Sequence, residues 1–218
     1  MMNNPITVSV LMAVYNTDFA LVKRAIDSVL NQFMVDFELI VIDDGSQNDP
    51  HHQLLRYVQQ HDDRIVYLRH ANCGQSKSIR RGVLNSRGTY IAILDADDEY
   101  KPNHLLACLD LMTDADLIAS TTDTIVDTDD DYYVPDKLDP TRLIHVDDCI
   151  LFATLFGRRE VFTGTEFEDR YGADAYFYEQ VARQYRVRKV DLRTYVYYRN
   201  MPTSICSVLK RQQSALFV

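Results

Sequence analysis

Tyr90-Ile91-Ala92-Ile93-Leu94-Asp95-Ala96-Asp97-Asp98 is the stretch from which the fold can be read. Its first five residues, mostly apolar and partly β-branched, predict a strand buried on both faces of a parallel sheet. The strand runs directly into three carboxylates in four positions. Gathering such charges costs several kcal/mol unless a cation lies between them. In open α/β sheets, ligands bind in the crevice outside the carboxyl ends of the strands. The stretch therefore reads as a metal-assisted diphosphate site. The blander reading is that Asp95 and Asp98 shape the turn and cap the helix that follows.

The flanking sequence repeats the pattern. Ile6 to Val14 predicts a central strand, and Asp18 or Thr17 caps a helix carrying Val22, Ala25, Ile26 and Val29. Phe37 to Ile42 predicts a second strand, which also ends on acid, at Asp43-Asp44-Gly45-Ser46. Asp49-Pro50 opens a helix, Ile65 to Leu68 is a third strand, and a helix from about Gln75 to Ser86 follows the Asn72-Cys73-Gly74 turn. Strand and helix thus alternate down to Tyr90, the signature of a doubly wound sheet.

Beyond Pro102, which starts a helix, the pattern loosens. Strands are expected at Asp116 to Thr122, Leu155 to Arg159, Val187 to Asp191 and Thr194 to Tyr198, with a helix from Asp174 to Tyr185. Residues 127–139, acidic and interrupted by proline, read as a solvated surface excursion without the spacing of a calcium loop. With no repeat and no low-complexity linker, residues 1–218 are expected to form one domain. About 1–100 would be a nucleotide-binding half and about 101–218 an acceptor-side half.

Composition excludes several classes. A net charge of −9 over 218 residues argues against a nucleic-acid partner. The start lacks the pattern of a signal peptide, and the apolar run Ile150 to Phe156 is too short to span a bilayer. Peripheral membrane contact has no positive sign. Cys73, Cys108, Cys149 and Cys206 form no paired spacing, so neither a zinc site nor a disulfide scaffold is expected, and no histidine metal motif occurs. A reducing, cytoplasmic location follows, at most against the inner face of the membrane.

Three strand ends now meet at one side of the expected sheet: Val14-Tyr15-Asn16, Asp43 to Ser46, and Asp95 to Asp98. An aromatic ring beside a carboxylate suits a nucleobase, and the later acids suit a ribose and a metal-bridged diphosphate. Neither G-x-G-x-x-G after strand one nor a P-loop is present, so phosphate would be held through metal.

With these residues the chain resembles the family-2 glycosyltransferases, inverting enzymes of the GT-A fold. The resemblance is carried by Val8 to Asn16, Glu38 to Ser46, Asn72-x-Gly74, Gly88 to Ile91, and Leu94 to Asp98 with Pro102 beyond. It is dense in the first half and thin in the second, ending at Tyr197-Tyr198-Arg199 with Ser204 downstream. It implies that Tyr15 lines the base pocket, Asp44 binds the base (uracil in the commonest members), and Asp95 reaches the ribose or the metal shell. Asp97, last acid of the Asp-x-Asp, would hold Mn²⁺ or Mg²⁺, and Asp174 would be the catalytic base, with Glu166, Glu168 and Asp169 as nearby competitors. Lys77, Arg80 and Arg81 are candidates for the diphosphate, Arg81 foremost. Donor and acceptor would be a nucleotide sugar, most often a UDP-sugar, and a saccharide or lipid-linked hydroxyl. Two positions depart from the family: Ala173 stands where a Glu is expected, and Asn200 to Ser204 lacks the His of some relatives. A non-catalytic nucleotide-sugar-binding module is the rival reading. A sugar nucleotidyltransferase is the weaker one, since Tyr15 to Asp18 is nothing like its Gly-rich basic loop.

Overall fold

The computed structural model describes residues 6–199 apart from 35, 48, 61–62, 140 and 169–171. Asp169, Tyr171, the Asn200 to Ser204 stretch and Cys206 therefore lie outside the described residues. Alternation begins as the sequence predicts, with β1 (Val8–Val14), α1 (Phe19–Leu30), β2 (Phe37–Asp43), α2 (Asp49–Val58), β3 (Ile65–Arg69), α3 (Gln75–Asn85) and β4 (Tyr90–Ile93). Asp18 caps α1, its carboxylate accepting from the Ala20 N–H at 2.7 Å. There follow β5 (Glu99–Tyr100), α4 (His104–Asp110), β6 (Leu117–Ile125), β7 (Tyr133–Pro135) and β8 (Leu143–His145). The described chain closes with β9 (Leu155–Arg158), α5 (Arg159–Gly164), α6 (Ala173–Val181) and β10 (Val187–Tyr198).

One mixed, mostly parallel sheet of eight strands runs in the order β3-β2-β1-β4-β9-β6-β10-β5. Period-two alternation sends Val8, Val10, Met12 and Val14 to one face, where α1, α2 and α4 cover them. Leu11, Ile40, Ile42, Ile91 and Ile93 face the other way, under α3, α5 and α6. Both faces are thus dry, which is why these strands read as continuous apolar runs.

The second half departs from the sequence reading in three ways. β9 inserts antiparallel between β4 and β6. The two late strands are one, β10, whose pairing with β6 shifts register between Val190 and Tyr195, where Arg193 has φ 48°. The excursion at 127–139 is structured: Thr128 and Asp131 form a capping box, and β7 pairs with β8 in a separate hairpin. Among the described residues no helix is long and apolar enough to cross a membrane.

Candidate functional site

Because β1, β2 and β4 are parallel neighbours, their carboxyl ends share one rim. Two loops are clipped together there. The Asp44 N–H donates to the Val14 carbonyl at 2.8 Å, the Asn16 N–H to Ser46 Oγ at 3.0 Å, and the Gln47 N–H to Asn16 Oδ1 at 2.8 Å. This leaves Tyr15 on the rim with half its surface exposed. Gly45, at φ +80°, lets the loop pass the Asn72 backbone, since a Cβ there would lie 2.7 Å from the Asn72 nitrogen.

The two acids at the end of β2 divide their work. Asp43 is structural, as its place in the turn suggests. It accepts from the Ser46 N–H at 2.7 Å and the Tyr67 hydroxyl at 2.6 Å. Asp44 is buried and turned toward the loop after β3. Its carboxylate accepts from the N–H groups of Cys73 (2.8 Å) and Gly74 (2.9 Å) and from Asn72 Nδ2 (3.1 Å). The next residue along, Gln75, donates through Nε2 to Asp95 Oδ1 at 2.8 Å, so one short segment joins the β2 and β4 ends of the rim.

At the β4 end the carboxylates crowd together. Burial and then the charge of Asp97 push the Asp95 carboxyl up to about 7, with Asp174 adding to the rise and Gln75 opposing it. Burial also raises Asp97, against its own backbone N–H and the charge of Arg24. Asp98 rises well above the carboxylate range through burial and the charge of Asp95. Asp98 is nevertheless a strut: it accepts from the Tyr195 hydroxyl at 2.7 Å and the Tyr198 N–H at 2.8 Å, both on β10. Arg24 of α1 donates to the Asp97 carbonyl and lies 3.8 Å from the Tyr198 ring centroid. Among the described residues the Asp97 carboxylate has no side-chain hydrogen-bond partner.

Asp174 reaches the same place from the far end of the sequence. Gly172, at φ 72°, turns the chain into α6 and puts Asp174 in its first turn. Burial raises Asp174, while the N–H groups of Ala175, Asp174 and Phe152 and the charge of Lys137 hold it back. The chain from the excursion helps to place it: Lys137 pairs with Glu179 and sits 4.4 Å from the Tyr176 ring centroid, both on α6. Of the nearby acids, Glu168 accepts from Gln180 Nε2 at 3.1 Å and Glu166 is exposed.

Tyr15, Asp44, Asp95 and Asp97 thus lie along one rim, with Asp174 close enough to act on Asp95. Arg81 is exposed on α3 and its charge reaches the Cys73 thiol. Arg80 is occupied elsewhere, donating to the carbonyls of Phe162 and Thr163 at the end of α5, both at 3.2 Å. Gln75, Arg24 and Tyr195 carry no motif and Tyr198 stands in one without an assigned role; only the fold shows their part.

Carboxylates that repel one another and take up protons above their usual range are relieved by a divalent cation, so the donor set fits Mn²⁺ or Mg²⁺. Asp97, whose carboxylate is open, and Asp95 beside it are the residues that would hold it.

The family model "Glycosyl transferase family 2" matches residues 9–188. An uncharacterized glycosyltransferase of Methanocaldococcus jannaschii is 39% identical over 105 residues, 48% of this chain and 36% of that protein. One from Nostoc sp. is 33% identical over 111 residues, 51% of this chain and 34% of that protein. The chain thus spans about a third of the length of these curated relatives. Among solved structures, S. aureus TarS 1–349 in complex with UDP-GlcNAc superposes with a TM-score of 0.68 at 18% identity, covering 88% of this chain and 58% of that one. The mannosyltransferase PcManGT from Pyrobaculum calidifontis, in complex with GDP-Man and Mn²⁺, gives 0.71 at 15% identity, covering 97% and 62%. At such identities the likeness speaks for the GT-A fold.

Proposed function

The chain belongs to glycosyl transferase family 2, and on that premise we propose that it moves a sugar from a nucleotide-sugar donor, of the UDP class, to a saccharide or lipid-linked hydroxyl, with inversion and in surface polysaccharide synthesis. The observation that supports this reading is that Asp95 and Asp97 follow β4 at the rim it shares with β1 and β2, with Asp174, in the first turn of α6, near enough for its charge to act on Asp95. On it, the first hundred residues bind the donor and the rest shape the acceptor side.

Tyr15 offers its exposed ring to the base. Asp44, whose carboxylate already accepts three N–H donors, takes the base N–H at its remaining acceptor position, on Oδ1 beside His70. Asp95 takes a ribose hydroxyl or joins the metal shell, and Arg81 offers a charge to the diphosphate. A divalent cation bound at Asp97 supplies stabilisation for the negative charge of the departing nucleoside diphosphate. Asp174 takes the proton of the acceptor hydroxyl as that oxygen attacks the anomeric carbon. Its burial serves this, because a raised carboxyl is the stronger base. A single displacement needs no covalent role for Asp174.

Thermal-shift measurements with nucleotide sugars, each with and without Mn²⁺, identify the donor, since a ligand at about 100 times its Kd adds about 2.7 kcal/mol of stability. With that donor, Asp97→Asn should abolish Mn²⁺-dependent release of nucleoside diphosphate, and Asp174→Asn should slow transfer by about 10²- to 10⁴-fold while sparing donor binding. A wild-type chain that binds donor yet releases no diphosphate, even with a mixture of acceptors, would instead be a binding module. Ala173, at the first position of α6 where the family expects Glu, is the feature that favours that second reading.

A further inference from the structure

The loop that anchors Asp44 brings together three side chains of unlike chemistry. Among the described residues, a carboxylate oxygen of Asp44, an imidazole nitrogen of His70 and the sulfur of Cys73 all lie within 4.8 Å of one another. Cys73 Sγ is 3.4 Å from His70 Nδ1, and His70 Nδ1 is 3.4 Å from Asp44 Oδ1. A tetrahedral zinc ion, with its usual bond lengths to sulfur, nitrogen and oxygen, sets its ligand atoms about 3.3 to 3.6 Å apart. Two of the three spacings fall in that range before any ion is added, and the third, from Cys73 Sγ to the Asp44 carboxylate, is within 4.8 Å.

The surroundings of each ligand are also those of a metal centre. The Asp44 carboxylate is oriented by Asn72 and two backbone N–H groups, which leave one lone pair of Oδ1 toward His70. The His70 side chain is only 7% exposed, and Ser78 Oγ lies 3.3 Å from Nε2. In the tautomer with the proton on Nδ1, that proton is donated to the Ala71 carbonyl at 2.8 Å. A cation at Nδ1 would replace this contact and move the proton to Nε2, beside Ser78 Oγ. Gly45 holds the two loops together beneath the trio, with a Cβ at that position also meeting the His70 carbonyl at 3.1 Å.

We propose that Asp44, His70 and Cys73 form a site for one soft divalent cation of the zinc class, separate from the hard, all-oxygen set at Asp95 and Asp97. Binding releases the thiol proton to solvent and leaves a thiolate, a neutral imidazole and a carboxylate around the ion. Water would complete the coordination. If Asp44 receives the donor base as proposed above, the free lone pair cannot serve both, so zinc and nucleotide exclude one another.

The test uses the full chain and Co²⁺ alone as a spectroscopic probe. One equivalent should bind with a thiolate-to-cobalt absorption band that Zn²⁺ displaces. The band should vanish in Cys73→Ser and weaken in His70→Asn, and persist in Cys149→Ser and Cys206→Ser. A folded wild type without the band, or a band that survives Cys73→Ser, overturns the site. Saturating Zn²⁺ should weaken UDP binding by about tenfold or more, equivalent to about 1.4 kcal/mol, in the wild type but not in Cys73→Ser. An unchanged affinity overturns the exclusion. The cobalt band does not depend on turnover, so loss of the transferase reading leaves this result standing, and the converse holds as well.

Discussion

Tyr195 shows how much a residue without a motif can matter. Its side chain is buried, and its hydroxyl donates to Asp98 while its oxygen accepts from the Asp95 N–H at 3.3 Å. Tyr195→Phe removes the donor and leaves a buried carboxylate short of a partner, which should cost about 1 to 3 kcal/mol in urea unfolding. In sequence Asp98 has only a turn-shaping or capping role beside it, and its two contacts to β10 make it a strut, while Asp97 is left open. That strut was not legible because it depends on a strand about a hundred residues away. His104 makes a second case. Burial pushes its imidazole down to about 3, with Nδ1 2.7 Å from Thr194 Oγ1. The folded value lies below the unfolded 6.5, so the unfolded chain takes up the proton first and stability is lost as pH falls through 6.5. The advantage of wild type over His104→Asn should therefore shrink below that pH, by at most about 1.4 kcal/mol per unit.

At the scale of elements, the first half was readable because buried parallel strands and amphipathic helices have periods that sequence displays. β1, β2, β3, α3 and β4 fall within two residues of expectation. Strand direction has no such signature, and β9 has the same apolar character whichever way it runs. β5, with two residues, is too short to show a period. β10 read as two strands because its register breaks where Arg193 takes a left-handed conformation. Asp174 is proposed through resemblance, and its place depends on how α6 begins. Gly172 at φ 72° has no room for a side chain, since an added Cβ would lie 2.8 Å from Lys137 Cβ. Gly172→Ala should cost about 1 to 2 kcal/mol from the left-handed backbone alone. The cost should appear as a lower denaturant midpoint with an unchanged m-value, accompanied by a fall in kcat.

For the whole molecule, the rim sets a pH signature. Asp95, Asp97, Asp98 and Asp174 all hold protons above their ordinary range, Asp95 to about 7. Their folded values exceed the unfolded one, so the folded chain binds the extra protons, and the metal-free protein should lose stability as pH rises from about 4 toward 7. On the proposed reading, a divalent cation would take over the role of those protons. The Mn²⁺-induced rise in Tm should consequently be larger at about pH 7.5 than at about pH 5.5, and Asp97→Asn should flatten the difference. Scanning calorimetry at the two pH values measures it.

The fastening of Tyr195 and Tyr198 to Asp98 also constrains how such a protein can be recombined. A chimaera that keeps the first hundred residues and borrows its tail from a cousin with another acceptor must import matching hydroxyl and amide donors at the graft. Without them the acidic turn loses its scaffold, and on the proposed reading the hybrid would forfeit donor chemistry together with the preference it was built to change.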